Sequence, residues 1–407
     1  MNTGHCRAQT AEIGEYTADE FEIRVRSAAT RRASRERSSV VPRTDSRNNH
    51  STPRETCRTR ETRVIYPAPP VPRMHHDSAT TLRECYAHAR DENYGFFASN
   101  VTHFEVLAGL LRGSAQARSD LVVQLGKEEA AFFGDGDSTV GVRVFGACLD
   151  AFAERYDINV YCNIDHVHLP ESVSFLEAAV DSGVPDSVMV DASDAAFERN
   201  VELTADAVER VGDDVLVEAE LGRIAGVEGS TETPDDEAFY TDPEDAVEFV
   251  ERTGVDLLAV SIGTQHGVAS GRDLDVRPNL AADIDAALRD AGHETGLVVH
   301  GASGLSDERI HELLEAGVCK FNKNTRYQYE FARTQADFYH EHADAIRPPE
   351  GVPDDRERFF AESDWSPEKA QFHPHVVSEA VRDRIASVMA DLCELTGSAN
   401  ETRYSER

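Results

Sequence analysis

The chain has 407 residues, 40% of them hydrophobic, a formal net charge of −34, and 37 arginines but only four lysines (127, 320, 323 and 369). That acidity argues against nucleic acid as a partner, which needs a cationic face, and no apolar run approaches the roughly 18 residues that cross a bilayer. The seven cysteines are scattered without a CxxC pair, which speaks against a disulfide framework and for reduced thiols in a cytoplasmic protein.

Residues 1–73 carry 14 Arg against 9 Asp+Glu, about +5, so residues 74–407 hold 41 − 14 = 27 basic and 75 − 9 = 66 acidic groups, or −39. The first stretch is rich in Arg, Ser and Thr without periodicity and reads as a disordered or non-core segment. High negative charge with little lysine suits a protein dissolved in concentrated salt, as in halophile-like acidic proteomes.

From Tyr94 onward, strand-like and helix-like segments alternate. YGFFASN precedes VTHFEVLAGLLRGSAQAR, and DLVVQLG precedes a loop and VGVRVFGACLDAFAERY. VYCNIDHVHLP leads to ESVSFLEAAVDSG, SVMVDAS to DAAFERNVELTADAVERVG, and VLVEAELG to an acidic loop and DPEDAVEFVERTG. LLAVSIG, GLVVHGASG and VCKFNKNT complete the series, each followed by a helical pattern. Eight such pairs, several with near-continuous apolar strands, predict an α/β fold with a parallel sheet buried on both faces. A (β/α)8 barrel over residues 74–344 and a large open doubly wound sheet both suit the count. Residues 345–407 form a C-terminal extension whose last helix has an apolar stripe at Val376, Val377, Ala380, Ile385, Val388, Met389 and Leu392, fit to pack on the barrel or on a second subunit.

The chemically able residues fall at strand ends, which favours the barrel. Asp165 and His166 end the third strand, Glu220 the fifth, and His300 the seventh. His266 follows the sixth, Glu228 lies in the loop after the fifth, and Asn322 and Thr325 end the eighth. In a barrel these ends share one face, where active sites are built. Three imidazoles and a carboxylate brought together there suit a borderline-soft divalent ion such as Zn2+. The HG at 266–267, HGASG at 300–304 and NKNT at 322–325 put backbone amides around strands seven and eight, where barrels commonly seat a phosphate.

In order and spacing, NIDH (163–166), SVMVDAS (187–193), FERNVELT (197–204), VEAELGRIAGVE (217–228), LAVSIGTQHG (258–267), VVHGASGL (298–305) and KFNKNT (320–325) resemble the class II, metal-dependent fructose-bisphosphate aldolases. The long C-terminal extension resembles the typically dimeric branch of that family. The resemblance implies reversible aldol cleavage of fructose 1,6-bisphosphate to dihydroxyacetone phosphate and glyceraldehyde 3-phosphate, a step of glycolysis and gluconeogenesis, by a homodimer or higher oligomer. It makes His166, Glu220, His266 and His300 the ligands of Zn2+ or another divalent ion. It gives Asp165 the proton on the C4 oxygen, and Glu228 the proton on the carbon beside the ketone. Asn100, Gly267, Gly301, Ser303, Asn322, Asn324 and Thr325 would hold substrate and its ketone-side phosphate, with a monovalent cation nearby. The metal ion would act as Lewis acid toward the enediolate, in place of a Schiff-base lysine, which leaves Lys320 a structural or electrostatic part.

The chain departs from the family at Asn324, usually Asp, at Gly126, usually Ser, and near Glu379, where an Arg contacts the distal phosphate. A related ketose phosphate such as tagatose bisphosphate is therefore an alternative substrate. The His166-x-His168 pair would also suit a barrel metal hydrolase with both histidines on the metal, and the altered phosphate contacts would suit a binding protein without activity.

Overall fold

The computed structural model describes residues 82–222, 240–265 and 275–404. The expectations for residues 1–73, Glu228, His266 and Gly267 lie outside the described residues. Eight strands, β1 (Phe96–Asn100), β2 (Leu121–Gly126), β3 (Val160–His168), β4 (Ser187–Asp191), β5 (Leu216–Leu221), β6 (Leu257–Val260), β7 (Gly296–Val299) and β8 (Val318–Lys323), pair in parallel in chain order. β1 also pairs with β8, so the sheet closes. The fold is a (β/α)8 barrel, and the open-sheet alternative fails because none of these eight strands is left as an edge.

Alternation along the strands decides what lies inside. On β3, Val160, Cys162 and Ile164 belong to the core shared with the surrounding helices, while Tyr161 packs in the lumen with Phe96, Ala98, Val122, Leu257 and Val298. Those apolar side chains plug the floor of the barrel. Above them the same inward rows turn polar, and Gln124, Asn163, Asp165, Glu218, His300 and Lys320 are all buried. The period-two pattern of β3 thus reports a strand with an apolar outside and a polar inside.

The floor is also tied through carboxylates ahead of the strands. Asp186 Oδ2 accepts from the Cys162 N–H at 2.7 Å, and Asp256 Oδ2 from the Val217 N–H at 2.8 Å. Asp120 accepts from the Asn159 N–H at 2.9 Å and its Nδ2 at 3.0 Å, and also from Thr402 Oγ1 at 2.6 Å and the Arg403 N–H at 3.2 Å. One buried carboxylate therefore pins β2, the start of β3 and the C-terminal tail together.

Lys127–Phe133 is a helix where the sequence reading expected a loop. Its residues are good helix formers, and Phe133 stacks between Phe104 and Phe145, with centroids 4.6 and 5.9 Å away. The helix Pro374–Leu395 packs on the barrel helix Phe104–Ala117. Close approach is possible because Gly109 and Gly113 face it: added Cβ atoms would lie 2.6 Å from Ile385 Cβ and 2.4 Å from the Ala386 carbonyl oxygen. The buried stripe runs through Val377, Val381, Ile385, Ala386, Val388, Met389 and Cys393, so of the expected residues Val376, Ala380 and Leu392 are only half-buried. Ion pairs from Arg112 to Glu379 and Asp383, from Arg382 to Glu105, and from Arg384 to Glu330 flank it.

Asp120→Ala leaves two buried amide donors without their acceptor and is expected to cost about 2–3 kcal/mol. The denaturation midpoint would fall, and the C-terminal tail would become more susceptible to limited proteolysis.

Candidate active site

Asp165 and His166 are adjacent in sequence, and in a regular strand they would point to opposite faces of the sheet. They do not. In the β3–β4 ladder Ile164 pairs with Val188 and Val167 with Val190, so β3 carries one extra residue between those pairs. His166 sits at the bulge with φ +45°, in the left-handed region that a non-glycine residue avoids without compensation. The bulge turns both side chains into the mouth.

There His166 meets His300 and Glu220. The two imidazole rings lie 4.9 Å apart, His300 Nδ1 is 3.5 Å from Glu220 Oε2, and one ligand atom from each of the three residues lies within 4.8 Å of the others. Donors around one zinc ion at about 2 Å are separated by about 3–4 Å, so small side-chain movements close the triad. His300 Nε2 donates to Glu218 Oε1 at 2.8 Å, and Lys320 Nζ donates to the other Glu218 oxygen. Burial lowers the His300 pKa more than Glu218 raises it, and its Nδ1 is turned toward Glu220. Burial also pushes Glu218 toward its neutral form, but Lys320 and His300 outweigh it and hold the carboxyl below its usual range.

His166 is held in the same way from β4. Its Nδ1 lies 3.4 Å from Asp191 Oδ2, which also lies 3.3 Å from His168 Nδ1. Burial alone would lower the His166 pKa, but Asp165, Asp191 and Glu220 drive it up to about 10. The field that draws a proton there would equally draw a metal cation. His168 is 67% exposed and stands outside the triad, so the hydrolase reading, which needs both histidines on one ion, has no support among the described residues.

Asp165 is almost fully buried and accepts three amide donors, from Asn100 Nδ2 at 2.9 Å, Gln124 Nε2 at 3.0 Å and Asn322 Nδ2 at 3.3 Å. Burial raises its pKa, but His166, His300 and Lys320 and the Asn100 bond reverse the shift and keep it ionised. Asn100 and Asn322, expected on substrate, are thus both directed at this carboxylate.

The remaining expected residues line the ends of β7 and β8. Gly301 has φ +69°, and a Cβ there would lie 2.2 Å from the Gln265 carbonyl oxygen, so only glycine fits. Ser303 sits in the short 3-10 turn Ala302–Gly304, and Asn324 precedes Thr325, the first residue of the helix Thr325–Glu341.

The sequence reading missed Gln124, Asp191 and Glu218. Each had a faint signal. Gln124 is the polar residue inside an apolar run, Asp191 ends another, and Glu218 lies two before Glu220 and so on the same strand face. Carboxylates that orient metal-binding imidazoles typically matter 10- to 100-fold for affinity. Glu218→Gln should therefore weaken divalent-metal binding by about that factor, read by competition with a chromophoric chelator.

Comparison with known proteins agrees with this geometry. The family described as fructose-bisphosphate aldolase class-II matches residues 80–401. The D-tagatose-1,6-bisphosphate aldolase subunit GatY of Klebsiella oxytoca is 32% identical over 259 residues, covering 63% of this chain and 84% of that protein. The crystal structure of the YdjI aldolase from Escherichia coli K12 superposes with TM-score 0.57 at 26% identity, covering 80% of this chain and 99% of that one. The fructose-bisphosphate aldolase of Campylobacter jejuni shares the fold with TM-score 0.66 at 21% identity, covering 79% and 95%. A match over nearly all the described barrel, with its buried donors at the strand ends, leaves one conclusion: the chain belongs to the class II fructose-bisphosphate aldolase family, and it is an aldolase.

Proposed function

We propose that the protein catalyses reversible aldol cleavage of fructose 1,6-bisphosphate, with Zn2+ held by His166, Glu220 and His300 and by His266 from outside the described residues. The triad, with Glu218 and Asp191 behind its histidines, is the observation that carries this reading. Two imidazoles, each held by a carboxylate behind it, and a third carboxylate are the donor set that zinc prefers. When bound, the ion supplies Lewis-acid stabilisation of the charge left on the ketone half as the C–C bond breaks.

The chain's own residues supply the proton chemistry. Asp165 is ionised and anchored by three amides, so in cleavage its carboxylate takes the proton from the C4 hydroxyl, and in condensation it gives that proton back. Asn100, Gln124 and Asn322 fix the carboxylate before substrate arrives, which limits reorganisation during the transfer. Glu228 exchanges the proton beside the ketone. The ketone-side phosphate lies on the rim formed by Gly301, Ser303, Asn324 and Thr325, where backbone amides and a helix N-terminus favour an anion.

Tagatose 1,6-bisphosphate, which differs at C4, is the second reading, favoured by the similarity to GatY. Among the described residues no helix is long and apolar enough to cross a membrane and the five cysteines are free, which supports a cytoplasmic enzyme. A homo-oligomer is supported by Phe132 and Phe359, both more than two-thirds exposed.

Three outcomes test the proposal. Chelation should abolish cleavage and Zn2+ should restore it, at low and high salt alike, whereas activity that resists chelation would end the metal reading. Asp165→Ala should lower kcat about 100- to 10,000-fold while metal content is retained, because only the proton transfer is lost. Fructose 1,6-bisphosphate should give the higher kcat/KM of the two ketoses; a preference for tagatose 1,6-bisphosphate would reverse the assignment.

A further inference from the structure

Lys323 is a buried charge that none of these roles uses. It closes β8 and points outward, opposite to Lys320 and Asn322, which face the lumen. It is only 7% exposed. Its Nζ donates to the Ala302 carbonyl oxygen at 3.2 Å and rides 4.4 Å from the centroid of the Phe97 ring on β1. Lys320, three residues earlier, has Glu218 as its counter-ion, but Lys323 makes no ion pair with a carboxylate among the described residues. A buried ammonium without a counter-ion is costly, and proteins rarely keep one idle.

The carbonyl it holds belongs to the turn beneath the anion rim. In a planar trans peptide the C=O and the following N–H point in opposite directions. With the Ala302 oxygen drawn toward Lys323 in the outer layer, the Ser303 N–H is turned away from that layer. A cation on the carbonyl also polarises the same peptide, which makes its N–H a stronger donor to an anion.

We propose that Lys323 is a positioning residue for the ketone-side phosphate: it fixes and polarises the Ala302–Ser303 peptide, and the bound phosphate supplies the counter-charge that no carboxylate among the described residues gives it. This rests on the phosphate site assigned above. Burial supports it, lowering the Lys323 pKa to about 8, with Arg326 adding to the shift and Asp307 opposing it. Arg326 opens onto the helix after β8 and Asp307 begins the helix after the turn; the other two neighbours, Phe97 and Ala302, do not titrate. Carboxylates and guanidinium groups as types hold their charge near pH 8, so the lysine is the group expected to change there.

The zinc-loaded enzyme with Lys323→Met and Lys323→Arg tests this in the condensation direction, with dihydroxyacetone phosphate and with dihydroxyacetone as donor. Lys323→Met should raise KM for dihydroxyacetone phosphate about 10- to 100-fold, with kcat changed less than about threefold. The reaction of dihydroxyacetone, which has no phosphate, should be unaffected, and Lys323→Arg should restore most of the affinity. An unchanged KM, or an equal loss with dihydroxyacetone, would overturn the proposal while leaving the phosphate site standing. A wild-type enzyme that did not prefer the phosphorylated donor would instead overturn the site itself.

A second measurement needs no variant to fold. Inorganic phosphate is a dianion above about pH 7, so its affinity for the wild-type holoenzyme should weaken as pH rises from about 7.5 to 9.5 and Lys323 loses its proton. A flat profile would refute the role.

Discussion

Everything at the mouth of this barrel answers to an excess of buried negative charge. Among the described residues, Asp165, Asp191, Glu218 and Glu220 bring four carboxylates into or beside the lumen, and Lys320 pairs with one of them, a formal sum of −4 + 1 = −3. Charges buried at that density survive only when paired or hydrogen-bonded. Glu218 shows the arrangement most plainly, with one oxygen on Lys320 and the other on His300. This excess of negative charge draws a proton onto His166 and suits a divalent cation at the same spot. Metal binding, proton placement and fold stability are in this sense one electrostatic problem.

The rest of the barrel makes that problem affordable. Its floor is apolar and tightly filled, its strands are covered by helices, and carboxylates such as Asp120, Asp186 and Asp256 tie the starts of the strands to one another. Stability concentrated there permits strain at the other end, where His166 is held at φ +45° by a bulge. The division follows from parallel strands: every strand carries its C-terminal end to the same side, so function and stability separate along the barrel axis.

The site also divides around the mouth. β3, β5 and β7 present the cluster of His166, Glu220 and His300, while β7 and β8 present amides, a helix N-terminus and the outward lysine. A ketose phosphate has the same two needs, charge stabilisation at the ketone and a seat for the phosphate. His300 and Gly301, neighbours in sequence, stand at the join.

The amino-acid sequence alone was enough for eight strand–helix pairs and for the strand-end positions of Asp165, His166, Glu220 and His300, because hydrophobic period and residue type are local properties. Barrel closure was an inference from those positions. Other features were beyond it. Nothing local announces the extra residue in β3 that sends two adjacent side chains to one side. The partnership of His300 with Glu218, 82 positions away, depends on which strands face each other across the lumen. Asn322 turns to Asp165, and Lys323 to Ala302, for the same reason. Residue types determined what chemistry was possible; closing eight strands into a ring decided which groups met, because only closure brings distant residues within hydrogen-bond range.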